Sequence, residues 1–333
     1  RNCKNLVKSA YPATISNPFV STIFFTTNTG SLSFRNEYYG SAHSYPVNAV
    51  VEDFIIYSSD KTSILFGSVM LNGEVCIPKS VTAIINSAFS KCSNITTLKI
   101  DNSALHIKDR SFTNCSGLKN IHLTCDTPPT IEEKAFENLY SNINLYVPEN
   151  SIIAYLRSPW NIFENINGGK VSQLSDDFLK YRTYTSEHNK LAILIRDYSY
   201  ATLTSAYIPR RIANEFGDFF NVVAIDDYAL SNCPKLTEVT FQNNSNVSSI
   251  GKFAFKGTQI SSISLPESVY KIEEGAFYQS GLIEFLLPTQ VTAIPEKMFS
   301  GSSAIKRIIL HSDVTEIGDN AFSDCLALEN VEN

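Results

Sequence analysis

A repeat of 22 to 25 residues is the feature of this sequence that most restricts its fold. A small residue followed by an aromatic residue or leucine recurs at steps of 23 and 24 residues, and later at steps of 25, 22, 22 and 23. These anchor pairs are Ala88-Phe89, Ser111-Phe112, Ala135-Phe136, Ala229-Leu230, Ala254-Phe255, Ala276-Phe277, Met298-Phe299 and Ala321-Phe322. Self-similarity at such a period is the signature of a repeat architecture.

Two short apolar runs flank the anchor pairs. A V-x-x-I run precedes the pair, as at 81–84, 222–225, 247–250, 269–272, 291–294 and 314–317. A six-residue run of the type L-x-x-I-x-L follows it, as at 95–100, 118–123, 236–241, 260–265, 282–287 and 305–310. Alternation and β-branching predict strands for both runs, and the anchor pair between them fits one turn of helix.

One such unit cannot bury its own apolar edge, so stability must come from stacking neighbouring units at roughly 4.8 Å per coil. We therefore predict an α/β repeat solenoid. It would be a right-handed, leucine-rich-repeat-like stack of short strands with one helical turn in each repeat of 22 to 25 residues.

The best-formed repeat resembles a known family. Residues 314–328 read V-T-E-I-G-D-N-A-F-S-D-C-L-A-L, which is similar to the BspA-like leucine-rich repeat, V-T-x-I-G-x-x-A-F-x-x-C-x-x-L. The resemblance covers most of residues 45–150 and 178–333. It implies a protein that is on the cell surface or secreted, as is typical of the family, in which some members are adhesins toward host matrix proteins. Their binding residues form no motif that could be carried over to this chain.

Two further passages resemble parts of the same family. T-P-P-T-I at 127–131, L-Y-V-P at 145–148, Tyr155 and S-P-W-N-I-F at 158–163 resemble the segment that closes the array in Bacteroides-type members. Residues 54–65 resemble a hairpin that lengthens one repeat.

A closing segment in mid-chain predicts two arrays in series. The 94-residue step from Phe136 to Leu230 without an anchor pair supports this break. Paired glycines punctuate structure, so Asn165-Ile-Asn-Gly-Gly169 is the expected hinge. We predict a first array over 1–168, with a divergent N-terminal part and a C-terminal cap, and a second array over 169–333.

Residues 3–6 and 328–331 resemble repeat interiors, so we expect both ends to be cut from a longer array. Residues 10–44 match the repeat poorly.

Composition excludes several classes of function. The net charge is −6, with 33 acidic and 27 basic side chains, which argues against a nucleic-acid binder, since that needs clustered Lys and Arg. The longest apolar runs, such as 191–195, are far shorter than the roughly 18 residues of a membrane-spanning helix. The five histidines form no H-x-x-x-H or H-E-x-x-H pattern, and G-x-S-x-G and phosphate-loop spacings do not occur. We therefore predict no catalytic, cofactor-binding or metal-binding residues.

Four cysteines occupy one repeat position. Cys92, Cys115, Cys233 and Cys325 each lie three residues after the large member of the anchor pair, where other repeats have Thr258, Ser280 and Ser302. Exchange among Cys, Ser and Thr indicates a small buried position rather than a nucleophile or ligand. A disulfide between Cys92 and Cys115 stays open. The acidic doublets at 132–133, 226–227 and 273–274 fall in the turn before the anchor pair, where we expect them to be solvated.

The remaining candidate is the exposed face of the six-residue strands. Their second, third and fifth positions point outward, and stacking aligns equal positions in columns. In the second array the fifth column has Leu286 and Ile309 where small polar residues are expected. Charged residues surround this pair: Glu238, Glu284 and Arg307 in the third column and Lys306 in the second. An exposed apolar pair rimmed by charge is typical of a partner site. The alternative is that a cap or neighbouring array covers it.

The preferred hypothesis is a non-enzymatic, adhesin-like binding protein. Its partner would be a protein or glycan held on the solenoid face, with host extracellular matrix as one source. Two alternatives stay open: an architectural spacer or assembly module without its own ligand, and a glycan-active enzyme whose carboxylates meet only in the folded chain. The enzyme would need two carboxylates within roughly 5–10 Å of each other.

Overall fold

The computed structural model describes residues 26–27, 31–35, 42–46, 50–157, 159–176 and 179–332. Much of the divergent stretch 10–44, and the run 3–6, lie outside these residues. The chain folds into two compact units. The first comprises Arg1–Tyr155 and Pro159–Gly168, and the second comprises Leu156–Ser158 and Gly169–Asn333.

The first unit carries two parallel strand ladders. Its strands are β1 (Thr26–Thr27), β2 (Ser31–Arg35), β3 (Ala42–Pro46), β4 (Val50–Glu52), β5 (Ile55–Tyr57), β6 (Ser63–Gly67), β7 (Gly73–Ile77), β8 (Ala83–Ile84), β9 (Ile95–Ile100), β10 (His106–Ile107), β11 (Asn120–Leu123), β12 (Thr130–Ile131), β13 (Asn144–Tyr146) and β14 (Asn165–Ile166). β1 to β3 form an antiparallel sheet. One parallel ladder runs β6-β8-β10-β12 and the other β7-β9-β11-β13-β14. The hairpin expected at 54–65 is present as β5 and β6.

The second unit begins with antiparallel strands and continues as parallel ladders. Its strands are β15 (Gly169–Ser175), β16 (Lys180–Thr185), β17 (Lys190–Leu194), β18 (Ser205–Ile208), β19 (Arg211–Ala213), β20 (Phe219–Ile225), β21 (Glu238–Phe241), β22 (Ser249–Ile250), β23 (Lys271–Ile272), β24 (Glu284–Leu286), β25 (Ala293–Ile294), β26 (Arg307–Ile309), β27 (Glu316–Ile317) and β28 (Asn330–Glu332). β15, β16 and β17 pair antiparallel. The parallel ladders are β17-β20-β22-β23, β18-β21, β24-β26-β28 and β25-β27, and β19 pairs antiparallel with β20.

Helix is scarce in both units. The part of the chain that the structure describes has one α-helix, α1 (Ile152–Tyr155), and 3₁₀ turns at Tyr140–Asn142, Glu149–Ser151, Trp160–Ile162 and Tyr198–Thr202. The expectation of one helical turn per repeat is therefore wrong. The fold is a β-solenoid with leucine-rich-repeat-type coils.

The backbone around the anchor pair shows why no helix forms. The N–H groups of Ser87, Phe89 and Lys91 donate to the carbonyl oxygens of Asp109, Ser111 and Thr113 in the next coil, at 3.1, 2.8 and 2.9 Å. The amides between them donate to the carbonyl oxygen of the third preceding residue in the same coil, as Ala88 N–H does to Ile85 O. An α-helix uses every amide internally, to the fourth preceding residue. A helical turn here would therefore remove the bonds that join one coil to the next.

Left-handed backbone makes this alternation possible. Ser87 and Lys91 have φ values of 59° and 64°, and the equivalent positions of other coils are also left-handed, as at Phe253 (φ 52°) and Gly257 (φ 67°). Gly275 takes such a position at φ 60°, and a Cβ there would lie 2.2 Å from a ring carbon of Phe253. Since Ser87 and Phe253 adopt the same conformation, glycine is required at 275 by the space that the Phe253 ring fills.

The large residues of the anchor pairs stack along each unit. Ring centroids are 5.0 Å apart for Phe89 and Phe112, and 4.9 Å for Phe112 and Phe136. In the second unit Phe255, Phe277, Phe299 and Phe322 continue at 5.2, 5.9 and 5.9 Å. These spacings follow the rise per coil, so each buried ring packs against the equivalent ring of its neighbour.

A compact aromatic segment covers the end of the first unit. Trp160 donates from Nε1 to the Pro129 carbonyl oxygen at 2.5 Å, and the Tyr155 hydroxyl donates to Cys125 O at 2.8 Å. Phe163 meets Phe136, the last ring of the stack, edge-on at 5.5 Å. The side chains of Trp160, Tyr155 and Phe163 are fully buried. They therefore shield the apolar end of the coil that carries Phe136.

The cysteine position is small and buried, as predicted. The Cys115 thiol donates to Phe89 O at 2.9 Å, and Ser302 makes the same bond to Phe277 O at 2.7 Å. Cys92 and Cys115 are both buried and both free thiols. Burial raises the pKa of the Cys92 thiol well above its usual range and that of Cys115 to about 12. These thiols are structural donors that stay protonated.

Truncating one ring of the Phe stack tests the packing. We expect Phe277→Ala to destabilise the second unit by about 3–5 kcal/mol, because it removes a fully buried ring that contacts two stacked neighbours. Tyr270→Ala, at an exposed position of the same coil, should change stability by less than about 0.5 kcal/mol. Urea unfolding followed by circular dichroism measures both. Similar losses in the two variants would contradict the packing.

Alkylation tests the cysteine assignment. With iodoacetamide at pH 8, we expect slow labelling of Cys76, which is exposed but whose pKa is raised by desolvation and by its hydrogen bond to Glu74. Cys92 and Cys115 should be protected, since burial keeps their thiols protonated and inaccessible. Peptide mapping by mass spectrometry reads each site separately. Unfolding in urea should make Cys92 and Cys115 react like Cys76, and labelling of either in the native protein would overturn their assignment.

Candidate partner-binding surface

The candidate surface lies on three parallel strands of the second unit. Register places Glu284 beside Arg307 and Arg307 beside Asn330, and it places Leu286 beside Ile309 and Ile309 beside Glu332. Phe285 and Ile308, between these positions, are fully buried. Successive side chains of a strand point to opposite faces. Since Phe285 and Ile308 point into the core, the residues on either side of them point outward.

Three aliphatic side chains form the apolar part of the surface. Leu286 is 61% exposed and Ile283, which precedes β24, is 47% exposed, whereas Ile309 is half-buried. Sequence reasoning missed Ile283, although its signal was available: it is the second residue of its run, where the two preceding runs have Thr237 and Ser261.

A charged row borders these side chains. Arg307 donates from Nε and Nη2 to the two carboxylate oxygens of Glu332, at 2.9 and 2.7 Å, and from Nη1 to Glu284 Oε1 at 3.4 Å. Hydrogen bonding to Glu332 raises the pKa of Arg307, and the same bonds lower the pKa of Glu332. Lys306 is exposed and makes no ion pair with any described residue. The bonds to Glu332 and Glu284 hold the Arg307 guanidinium in one orientation on the surface.

We call Ile283, Leu286 and Ile309, with Glu284, Lys306, Arg307 and Glu332, the strand-face patch. Five of the six predicted site residues belong to it. The sixth, Glu238, lies on β21, which pairs with β18. The coil between β21 and β24, at 260–265, forms no strand and makes only isolated bonds to its neighbours, such as Ile283 N–H to Ser261 O. Glu238 is therefore on a different ladder from the patch.

The first unit offers an internal comparison. Its equivalent column runs Cys76, Lys99, His122 and Tyr146. Lys99 pairs with Glu74 at 2.9 Å, and the His122 ring stacks on Tyr146 with centroids 4.4 Å apart. This column is polar and its members engage one another, so the aliphatic cluster is a property of the second unit's strand face.

The acidic side chains serve structural bonds where they come together. In the first unit, Asp101 and Asp126 line one cavity. Asp101 pairs with Lys79 at 2.6 Å, and Asp126 accepts from the Ser151 hydroxyl at 2.9 Å. The Lys79 contact lowers the pKa of Asp101, the opposite of what a general acid needs.

One acidic doublet differs from its prediction. Asp226 is buried rather than solvated, and its carboxylate accepts from Arg182 Nη1 at 3.0 Å. Asp227 Oδ1 accepts the Lys252 amide at 2.8 Å, and burial raises the pKa of Asp227. The pair belongs to a buried network with Arg157, whose Nη2 donates to Ser249 Oγ at 2.8 Å and to Ile225 O at 3.1 Å. Arg182 and Arg157 lie far from the 226–227 doublet in the sequence, so the position of the doublet in a turn gave no signal that Asp226 would be buried.

Neither a metal centre nor a membrane span is found in the described part of the chain. No group of three or more His, Cys, Asp or Glu side chains is placed to hold a metal ion there. Over the same residues, every helix is too short to cross a bilayer.

Comparison with solved structures gives bacterial leucine-rich repeat proteins. A leucine rich cell surface protein from Faecalibacterium prausnitzii A2-165 is 19% identical, with 85% of this chain and 94% of that chain covered and a TM-score of 0.38. A leucine-rich repeat protein from Eubacterium ventriosum ATCC 27560 is 19% identical, with 82% and 70% covered and a TM-score of 0.39. One from Bacteroides capillosus ATCC 29799 is 27% identical, with 44% and 99% covered and a TM-score of 0.34. A search of curated proteins gave no match.

The family model for the BspA type leucine rich repeat region matches in 6 copies, over residues 65–172 and 221–332. These matches include the anchor pairs and both flanking runs of each coil, which are the residues that build the ladders and the ring stacks. They span well over half of the chain, and the chain therefore belongs to the BspA type leucine-rich repeat family.

Proposed function

We propose that this protein is a non-enzymatic binding protein, on the cell surface or secreted, that holds a protein partner on the strand-face patch. Family membership supports the class, because such repeats build extended surfaces rather than enclosed catalytic sites. The patch supports the partner type, since a flat cluster of aliphatic side chains with a charged rim matches a protein interface better than a small-molecule pocket. The same proposal retains the two arrays, 1–168 and 169–333, and assigns this binding to the second.

The observation that carries the proposal is the exposure of Leu286 on β24 and of Ile283, the residue before β24. Phe285, between them, is fully buried and packs against Phe277 with tilted rings whose centroids are 5.0 Å apart, so the exposed pair is presented on an ordered backbone. Burying apolar area is worth roughly 25 cal/mol per Å². A preordered surface loses little conformational entropy on binding, which leaves more of that gain as affinity.

The charged row supplies orientation. Arg307 is fixed between Glu284 and Glu332, so its remaining hydrogen-bonding capacity faces outward in one geometry. Arginine is enriched among the residues that dominate interface energetics. Lys306 adds an unpaired positive charge at the rim, where charges mainly affect association rate and salt dependence. We therefore expect a partner with an apolar segment and adjacent acidic side chains, and host extracellular matrix proteins are the first candidates.

A double substitution tests the patch. In the intact chain, Leu286→Glu with Ile309→Glu should reduce capture of the partner by at least about tenfold, because two carboxylates would have to be buried at the interface. Thr240→Glu with Ser264→Glu is the matched control, since both positions are exposed in the same column and the charge change is equal. Capture is measured by surface plasmon resonance on a panel of purified matrix proteins.

Circular dichroism and thermal unfolding establish that each variant is folded. Because Ile309 is half-buried, Leu286→Ser provides a milder variant that should also weaken capture. Equal capture by the wild type and both patch variants would refute the site. Absence of capture on the whole panel, together with concentration-dependent self-association in light scattering, would favour the architectural role.

A further inference from the structure

A β-hairpin in the second unit presents aromatic side chains on an ordered loop. β19 and β20 pair antiparallel, with Ile212 opposite Phe220 and Ala213 opposite Phe219. Asn214 Oδ1 accepts the amides of Phe216 and Asp218 at 3.1 and 2.8 Å. Asp218 in turn pairs with Lys190 at 2.5 Å. These bonds fix the loop, so the side chains that it carries are held in place before any ligand binds.

The two faces of this hairpin differ. Ile212 and Phe220 are buried, whereas Phe219 is 56% exposed and Phe216, in the loop, is 82% exposed. Tyr207 on β18 is likewise 56% exposed. Tyr207 is the fifth residue of its run, and its partner in register is Thr240. Exposed aromatic rings concentrated in one region of a well-packed protein are typical of a binding site.

Arg211 is the polar centre of this region. Its guanidinium lies 5.1 Å from the centroid of the Phe219 ring, and no ion pair or hydrogen bond of its guanidinium is found with any described residue. By contrast, Arg182 and Arg307 are both paired with carboxylates. A guanidinium is a planar fork of N–H donors, so one that lies over a ring face without a carboxylate partner suits bidentate recognition of a carboxylate.

A cavity joins these groups. The residues that line it are Ser175, Asp176, Tyr207, Pro209, Arg211, Ile212 and Ala213. Ser175 is exposed, and Asp176 accepts the Leu179 amide through Oδ1 at 2.6 Å. The lining therefore combines one cation, one carboxylate, the hydroxyls of Ser175 and Tyr207 and one aromatic ring with three apolar residues.

We propose that this cavity binds a carboxylated saccharide residue of the uronic or sialic acid type. The sugar carboxylate would bind the Arg211 guanidinium, the apolar face of the sugar ring would pack on Tyr207, and its hydroxyl groups would donate to Asp176 and bond with Ser175. Asp176 disfavours an acidic peptide, whose successive carboxylates would meet a like charge. The site goes beyond the proposed protein-binding function, because none of its residues belongs to the strand-face patch.

Saturation-transfer NMR with the intact chain tests the proposal. The probes are a glucuronic-acid-terminated disaccharide, N-acetylneuraminic acid, the neutral glucose disaccharide and a hexaglutamate peptide. We expect binding of at least one carboxylated sugar and no measurable binding of the neutral one. Arg211→Gln should weaken binding about tenfold, through loss of a charge-assisted bidentate contact. Arg210→Gln removes an adjacent, exposed arginine that does not line the cavity, and it should leave binding unchanged.

The remaining outcomes separate the alternatives. Tyr207→Ala should weaken the sugar and leave hexaglutamate signals unaffected, since only the sugar needs the ring face. Binding of hexaglutamate in preference to both sugars would show an acidic-peptide site and overturn the proposal. Equal binding by wild type and Arg211→Gln, or no binding of either acidic sugar, would also overturn it. The Leu286→Ser variant should bind the sugar normally, so failure here and failure of the protein-binding proposal are distinguishable.

Discussion

Hydrogen bonds between successive coils are the constraint on which the rest of this structure depends. A single coil of about 23 residues closes only tight turns within itself, and its strand amides and alternate anchor-segment amides bond to its two neighbours. Buried amides and carbonyls must be paired, so each coil is stable only when stacked. The requirement for a stacked neighbour extends to the anchor segment, where every second amide donates to the next coil.

Side-chain identity follows from that stacking. Equivalent positions in successive coils lie one coil rise apart, so each buried ring has a ring above and below it. The Phe rings pack in this way with centroids 4.9 to 5.9 Å apart. In several coils the small position after the ring donates to the carbonyl of the preceding coil's ring residue, as Cys115, Ser302 and Cys325 do. Cys115 and Ser302 fill it interchangeably, because thiol and hydroxyl both fit and both donate.

Function has to arise where the repeat is not obeyed, since residues that obey it are committed to the core. Leu286 and Ile283 occupy outward positions that carry Thr or Ser in the two preceding coils, and Arg211 and Tyr207 belong to a stretch where a hairpin interrupts the coils. The family fold defines neither surface, since repeat proteins of one architecture bind unrelated partners. What the fold supplies is rigidity, because both surfaces rest on fully buried neighbours.

The sequence by itself determined the period, the two strand runs, the buried rings and the small cysteine position, because all four recur and their spacing reports local geometry. Tertiary structure decided the rest. The anchor segment is not helical because its amides are needed by the next coil, a demand that no single repeat displays. Asp226 is buried because Arg182 and the turn meet only in the folded unit. Glu238 does not belong to the patch, because the coil at 260–265 forms no strand. Arg211 lies over Phe219 because a hairpin pairs their strands. Each of these outcomes depends on contacts between residues far apart in sequence, which a pattern of local positions does not encode.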